Sequence, residues 1–249
     1  MRDDLGAELI TRRPVRRVVS LVPSLTEAMA VTEPDAVVGA TDWCTHPAGL
    51  DVTRVRGTKN PNLDLISSLR PDLVVANQEE NRELDVQRLR AEGIPVWVTH
   101  IETLDEAFSS MRRLFTDGLS WGVPDWLTTA EEAWATPASA PRGRAAVAVW
   151  RDPWMVVGSS TFTGDVMQRL GLENVFEKHE DRYPHVELSE IDRDDIDLVL
   201  LPDEPYVFTA DDGPEAFSNV RTVLCSGRSL TWYGPSLLTA REELESLLN

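Results

Sequence analysis

The chain has 249 residues, a length that allows one or two domains and a full apolar core. Its formal net charge is −18, and this charge excludes nucleic acid and anionic membranes as partners because both would be repelled. Apolar residues make up 42% of the sequence, so the composition is not that of a disordered chain.

Neither the N-terminal sequence nor the cysteine content determines the cellular compartment of the protein. Residues 1–17 lack the apolar centre of a signal peptide, and no apolar run is long enough to cross a membrane. Two localisations stay open: the cell surface or periplasmic side if a leader was removed, and the cytoplasm if Met1 is the native start. Cys44 and Cys225 are predicted to be free thiols, because their spacing fits neither a zinc site nor a disulfide framework.

The first half of the chain alternates strand and helix signals. Apolar runs predict strands over residues 17–22, 36–40, 72–76 and 95–99. Helices are predicted over residues 62–69, with Asn62 as N-cap, 83–91 and 103–115. A further helix is expected to begin at Ser24, where S-L-T-E reads as a capping box. Continuous apolar strands between helices predict a parallel sheet with helices on both faces.

The second half repeats this scheme. Strands are predicted over residues 145–150, 197–201 and 221–224, and helices over 164–170, 189–194 and 235–248. A helical pattern over residues 125–135 precedes a linker that contains Pro137 and Pro141. We therefore predict an α/β fold of two Rossmann-like lobes joined once. The bounds are 1–118 for the N-terminal lobe, 119–141 for a bridging helix and linker, and 142–249 for the C-terminal lobe.

An internal sequence repeat supports two related lobes. A short helix followed by a D-L-V strand occurs twice, with one offset of 125 residues throughout. The pairs are Leu63 and Leu188, Ile66 and Ile191, Asp72 and Asp197, Leu73 and Leu198, and Val74 and Val199. The repeat indicates duplication or convergent packing.

Several stretches together resemble the class III periplasmic binding proteins, which serve ABC importers of cobalamin, iron–siderophores and haem. RRVVSLVPSLTEAMAV, VVGATDWCTHP and NPNLDLISSLRPDLVVA resemble the N-terminal lobe, and their order is most similar to the cobalamin-binding branch. GSSTFTGDVMQRLGLENVF and ELSEIDRDDIDLVLL resemble the second lobe. The chain departs from the family in its missing leader and in a bridging helix that looks short, because prolines follow it.

The resemblance implies a non-catalytic protein that holds a corrinoid, siderophore or haem-like chelate in a cleft between two lobes. It also implies an ABC permease and ATPase as partners; we expect a monomer with no cofactor and no metal held by the protein. Two alternatives stay open: a cytoplasmic binding protein or enzyme acting on a tetrapyrrole or metal chelate, and an interaction protein with a degenerate cleft. No Walker A, G-x-S-x-G, G-x-G-x-x-G or H-E-x-x-H motif supports an enzyme.

Ligands of open α/β sheets collect at the carboxyl ends of strands, so the loops there supply the predicted binding residues. These residues are Ser24, Trp43, Lys59, Asn77, Arg151, Trp154, Phe162, Tyr183, Tyr206 and Trp232, with Tyr233 in a further loop. Ser24 has an alternative role as a helix cap and Asn77 as a turn residue. His46 and His185 are weaker metal candidates, since no metal spacing links them.

By resemblance, Trp43 occupies the position of an aromatic that contacts the corrin. Asp64 and Glu190 likewise match one acidic residue on each lobe that docks on arginines of the permease. Both also lie in the first turn of a predicted helix, where a carboxylate is favoured in any case.

Overall fold

A computed structural model describes residues 1–248 and divides the chain into two compact units. The first unit contains Met1–His100, Glu106–Thr129 and Tyr233–Pro235. The second contains Ile101–Asp105, Ala130–Trp232 and the chain from Ser236 onward. The backbone crosses this division at five points, one of which lies within the helical segment 125–135 that the sequence predicts as the bridge. The predicted bounds at residues 118 and 141 do not coincide with this division.

The first unit is built on a parallel sheet. Its strands are β1 (Val18–Ser20), β2 (Val37–Ala40), β3 (Thr53–Arg54), β4 (Leu73–Asn77) and β5 (Val96–Thr99). They lie in the order β3-β2-β1-β4-β5, and every pairing is parallel. This is the order of a doubly wound half, so the carboxyl ends of all five strands meet at one edge. The helices are α1 (Pro23–Thr32), α2 (Leu63–Ser68), α3 (Glu83–Ala91) and α4 (Leu104–Arg113).

Two helix starts show how local chemistry decides the boundary. Asn62 is the N-cap of α2, as predicted, and its side-chain oxygen accepts from the Leu65 N–H at 3.1 Å. The predicted start at Ser24 is wrong, because α1 begins at Pro23 with Val22 as N-cap and no side-chain cap. Proline at the first helical position has the helical φ already and forces Val22 to be extended.

The second unit has a mixed sheet. Its strands are β6 (Gly143–Trp150), β7 (Met155–Val156), β8 (Leu172–Asn174), β9 (Leu198–Pro202) and β10 (Arg221–Cys225). The order is β10-β9-β6-β7, with β8 also paired to β6. All pairs are parallel except β6 with β7, which corrects the expectation of a wholly parallel sheet. The turn between β6 and β7 has only four residues, and so short a connection joins antiparallel strands alone.

Five helices complete the described part of this unit or lead into it. They are α5 (Asp125–Trp134), α6 (Phe162–Arg169), α7 (Leu188–Ile191), α8 (Gly227–Thr231) and α9 (Leu237–Leu247). Helix α5 starts in the first unit and ends in the second. Of the helices in residues 1–248, none combines the length and apolar character of a membrane span.

The internal sequence repeat corresponds to an equivalent pair of hydrogen bonds in each of the two units. In the first, Asp72 accepts the Arg17 N–H at 3.1 Å, and its own N–H bonds the Arg17 carbonyl at 2.8 Å. In the second, Asp197 accepts the Arg144 N–H at 2.7 Å and donates to the Arg144 carbonyl at 2.8 Å. The aspartate of D-L-V thus fixes the register between the two central strands of each sheet.

Candidate functional site

Trp43 provides the exposed ring of the first unit. It lies in the loop after β2, and 67% of its surface is accessible. The next residue, Cys44, is buried, and its Sγ accepts from Thr26 Oγ1 at 3.0 Å. Arg54 donates to the carbonyls of Thr41 and Cys44 at 3.0 and 2.8 Å. A loop held by these bonds presents a large indole in a defined place, which is what a stacking platform requires.

Two polar residues predicted to bind a ligand are engaged within the first unit. The Lys59 ammonium donates to the Glu79 carbonyl at 2.5 Å. Asn77 is buried, its amide donates to Thr99 Oγ1 at 3.1 Å, and its oxygen accepts the N–H groups of Glu79 and Glu80. Asn77 therefore shapes the turn after β4, and its predicted hydrogen bond to a ligand is corrected to this alternative role.

Ser24 and Tyr233 are both buried inside the first unit. Ser24 is the second residue of α1, and its predicted place at a ligand surface is not what the structure gives. Tyr233 was assigned by sequence to a loop of the second lobe, but it packs in the first unit and donates to Glu80 at 3.4 Å. Burial, followed by the nearby Glu80 carboxylate, raises the Tyr233 pKa well above its ordinary value.

Trp150 provides the exposed ring of the second unit. It is the last residue of β6, with 44% of its surface accessible, and the edge of its ring meets Tyr206 at 5.5 Å and 77°. Val207, beside Tyr206, is also exposed. Trp154 and Arg151 were the residues predicted from this turn, so the exposed ring of Trp150 was missed. The available signal was the position of Trp150 at the carboxyl end of the strand.

Trp154 belongs to the core of the second unit. Its ring is stacked on Phe208 at 6.0 Å and 5°, and Phe217 meets it edge-on at 5.3 Å. The Arg151 guanidinium lies 5.6 Å from the same ring. Trp154 is only 8% exposed, so its predicted role as a ligand contact is corrected to a packing role.

Arg151 is committed to neighbouring carboxylates. It pairs with Glu215 at 2.5 Å and with Asp212, and Asp152 lies 3.8 Å away. The hydrogen bond to Glu215 raises the Arg151 pKa above its ordinary value. Asp212 also accepts from the Tyr206 hydroxyl at 2.7 Å, and that bond raises the Tyr206 pKa. Arg151 therefore fastens the end of β6 to the loop that follows β9.

The remaining predicted rings are less accessible than Trp43 and Trp150. Phe162 is the first residue of α6 and is buried. Trp232 is buried, with Arg228 over its ring at 5.9 Å, and Tyr183 is half-buried. Sequence position after a strand identified loops correctly, but it did not distinguish rings that face outward from rings that complete the core.

The two predicted docking acids lie in first turns of helices, as expected. Asp64 is exposed in α2. Glu190 is exposed in α7 and accepts the Glu187 N–H at 2.8 Å, which makes it part of a capping box. Docking on a permease stays a prediction for both. Within residues 1–248, His46 and His185 included, no three His, Cys, Asp or Glu side chains form a group that could hold a metal.

Solved structures share the fold of this chain. The periplasmic vitamin B12 binding protein BtuF of Vibrio cholerae aligns over 94% of this chain and 97% of its own, with a TM-score of 0.72 and 20% identity. The periplasmic heme-binding protein RhuT from Roseiflexus sp. RS-1 covers 94% and 99%, with a TM-score of 0.73 and 18% identity. The predicted fold of two α/β lobes with parallel sheets is confirmed, apart from the antiparallel strand β7.

The sequence relatives point the same way. The chain is 25% identical over 185 residues to the vitamin B12-binding protein of Vibrio vulnificus (strain CMCP6), covering 72% of this chain and 68% of that protein. No protein-family model matches the sequence. The relatives and the shared fold confirm the resemblance to the class III periplasmic binding proteins of ABC importers.

Proposed function

We propose that the chain is a substrate-binding protein that holds a corrinoid or a related metal chelate for an ABC-type importer. The observation that carries this proposal is the pair of exposed indoles, Trp43 and Trp150. Each stands at the carboxyl edge of the sheet of its own α/β unit. The similarity to vitamin B12-binding proteins supports the corrin as the first ligand to test.

The physical mechanism is contact between flat apolar surfaces. An indole covers a large area with few rotatable bonds, so it loses little conformational entropy when a planar macrocycle packs on it. Both rings are on supported backbone: Trp43 follows the loop that Arg54 holds, and Trp150 ends β6 against Tyr206. The binding surfaces of each unit are therefore largely formed before the ligand arrives.

The proposal includes a transporter partner and a periplasmic-side location. The relatives are named as periplasmic or vitamin B12-binding proteins. Asp64 and Glu190 are the residues proposed to meet arginines of a permease, and both carboxylates are on exposed first turns. Charge reversal of Asp64 to Lys should abolish stimulation of the importer's ATPase while ligand binding is retained.

The relatives are binding proteins, so we propose binding without chemistry. The measurement is a thermal-shift screen with cyanocobalamin, dicyanocobinamide, haemin and several ferric siderophores. A ligand present at a hundredfold excess over its Kd stabilises the folded protein by about 2.7 kcal/mol, which raises Tm by several degrees. A chelate that raises Tm in the native protein, but not in a Trp43→Ala/Trp150→Ala variant, supports the proposal. Unchanged melting with every compound contradicts it.

A further inference from the structure

The segment that follows β9 carries acidic residues at both of its ends. Residues 203–215, here called the acidic loop, contain five carboxylates and no Lys, Arg or His. They are Asp203, Glu204, Asp211, Asp212 and Glu215. The loop lies beside the exposed Trp150, because Tyr206, the fourth residue of the loop, meets that ring at 5.5 Å.

The basic residue of the turn after Trp150 is already neutralised by neighbouring carboxylates. Arg151 is the only basic residue of the turn that follows Trp150, and its side chain is 20% exposed. It pairs with Glu215 at 2.5 Å and with Asp212. Asp152 is 87% exposed in the same turn. Arg151 carries one positive charge, and Asp152, Asp212 and Glu215 carry three negative charges, so these four side chains have a net charge of −2. A ligand that packs on Trp150 therefore meets a negative potential.

We infer that the acidic loop, with Arg151 withheld by Asp212 and Glu215, is a charge filter that selects ligands with an uncharged periphery over ligands that carry peripheral carboxylates. The inference rests on the proposed function and specifies its substrate class. A corrin ring with carboxamide side chains is uncharged at its edge. Haem carries two carboxylates, and ferric tris-catecholates are anionic. The charge of Arg151 is already compensated by Asp212 and Glu215, so such an anion would meet a group with net negative charge.

The first test needs no ligand. Fluorescence quenching of Trp150 is taken as the difference between the native protein and a Trp150→Phe variant. The quenching constants of iodide and caesium are compared after each is divided by the constant of the same ion for free N-acetyltryptophanamide. We expect caesium to quench Trp150 at least about twofold more strongly than iodide at low ionic strength, with the difference fading as salt is added. Equal quenching by the two ions would overturn the inference, whatever the protein binds.

Matched variants locate the effect. Asp212→Asn with Glu215→Gln frees Arg151 and removes two charges. Asp152→Asn with Asp211→Asn removes two exposed charges and leaves the Asp212 and Glu215 pairs intact. Both should raise iodide quenching of Trp150. The control, Glu173→Gln with Asp194→Asn, removes two exposed charges near the amino ends of β6 and β9 and should leave quenching unchanged. An equal effect of the control would show a diffuse charge effect and contradict a local filter.

The second test uses two corrinoids that differ by one charge. Cyanocobalamin is compared with the monocarboxylic acid made by hydrolysing one of its amides. We expect the acid to bind the native protein about tenfold more weakly, and the ratio to shrink in both loop variants. Equal affinities would overturn the filter while leaving the binding function standing. Failure of both corrinoids to bind would refute corrinoid binding, and the quenching result would still decide the filter.

Discussion

Two tryptophans four residues apart illustrate how one turn separates an exposed ring from a buried ring. Trp150 ends β6 with its ring outward, whereas Trp154 enters the core between Phe208 and Phe217. Arg151 contacts the Trp154 ring and reaches Glu215 and Asp212. The contrast follows from the hairpin, because the chain reverses within four residues between β6 and β7.

The same contrast predicts opposite effects of two alanine variants. Trp154→Ala should destabilise the protein by about 3–5 kcal/mol, since it opens a cavity among buried rings. Trp150→Ala should change stability by less than about 0.5 kcal/mol and weaken ligand binding by about tenfold. Urea unfolding and equilibrium titration measure the two quantities. A stable Trp154→Ala protein with weakened binding would reverse the assignment.

The thiol of Cys225 should be inert in the folded protein. Burial, together with the nearby Asp203 carboxylate, raises its pKa to about 12, so almost no thiolate exists at pH 8. Cys44 is buried too, and burial raises its pKa. We expect iodoacetamide to label neither residue until denaturant unfolds the chain, as mass spectrometry of timed samples would show. Rapid labelling of Cys225 at pH 8 without denaturant would disprove its burial.

At the scale of the element, the repeated aspartate performs the same task in both sheets. Asp72 precedes β4 and Asp197 precedes β9. Each accepts an arginine N–H at the start of the neighbouring strand with its carboxylate and donates its own backbone N–H to the carbonyl of the same arginine. An aspartate at this place aligns the first residues of β1 with β4 and of β6 with β9. The repeat in sequence thus corresponds to a repeated contact.

Removal of either carboxylate should cost similar stability. Asp72→Ala and Asp197→Ala each leave backbone N–H groups without their acceptor, and we expect a loss of about 1–2 kcal/mol from each. Asp72→Asn and Asp197→Asn keep an acceptor oxygen and should lose less. Hydrogen exchange at Arg17 and Arg144 would report the change locally. An unchanged exchange rate at both sites would refute the equivalence.

Elements that depend on local pattern were predictable, and those that depend on tertiary packing were not. The apolar runs of β4 and β9 and the Asn62 cap of α2 follow from composition and capping chemistry. The two-residue strands β3 and β7 were missed, because a strand this short has no periodicity to read. Trp43 was identified by its loop position, but the outward ring of Trp150 depends on a hairpin that the sequence does not reveal.

A buried charge near the start of the chain likewise depends on tertiary packing and could not be predicted from the sequence. Asp3 pairs with Arg90 at 2.6 Å, and its side chain is completely buried. Its two oxygens also accept the N–H groups of Leu5, Ala7 and Val98. No local signal joins residues so far apart in sequence, since only the folded first unit brings them together.

At the scale of the whole molecule, the charge of −18 opposes compactness. Salt screens this repulsion: the Debye length falls from about 30 Å at 0.01 M to about 8 Å at 0.15 M. We therefore expect Tm to rise by a few degrees between these two ionic strengths, measured by calorimetry with sodium chloride. A lower Tm in higher salt would mean that the ion pairs, such as Asp3 with Arg90, outweigh the general repulsion.

Binding itself gives the most direct test of the account. Isothermal titration with cyanocobalamin would compare the native protein, Trp43→Ala, Trp150→Ala, the double variant and Leu84→Ala, an exposed apolar control on α3. We expect one ligand per chain, about tenfold weaker binding for each single tryptophan variant, and undiminished binding for the control. Full affinity in the double variant would contradict the claim that the two exposed indoles hold the ligand.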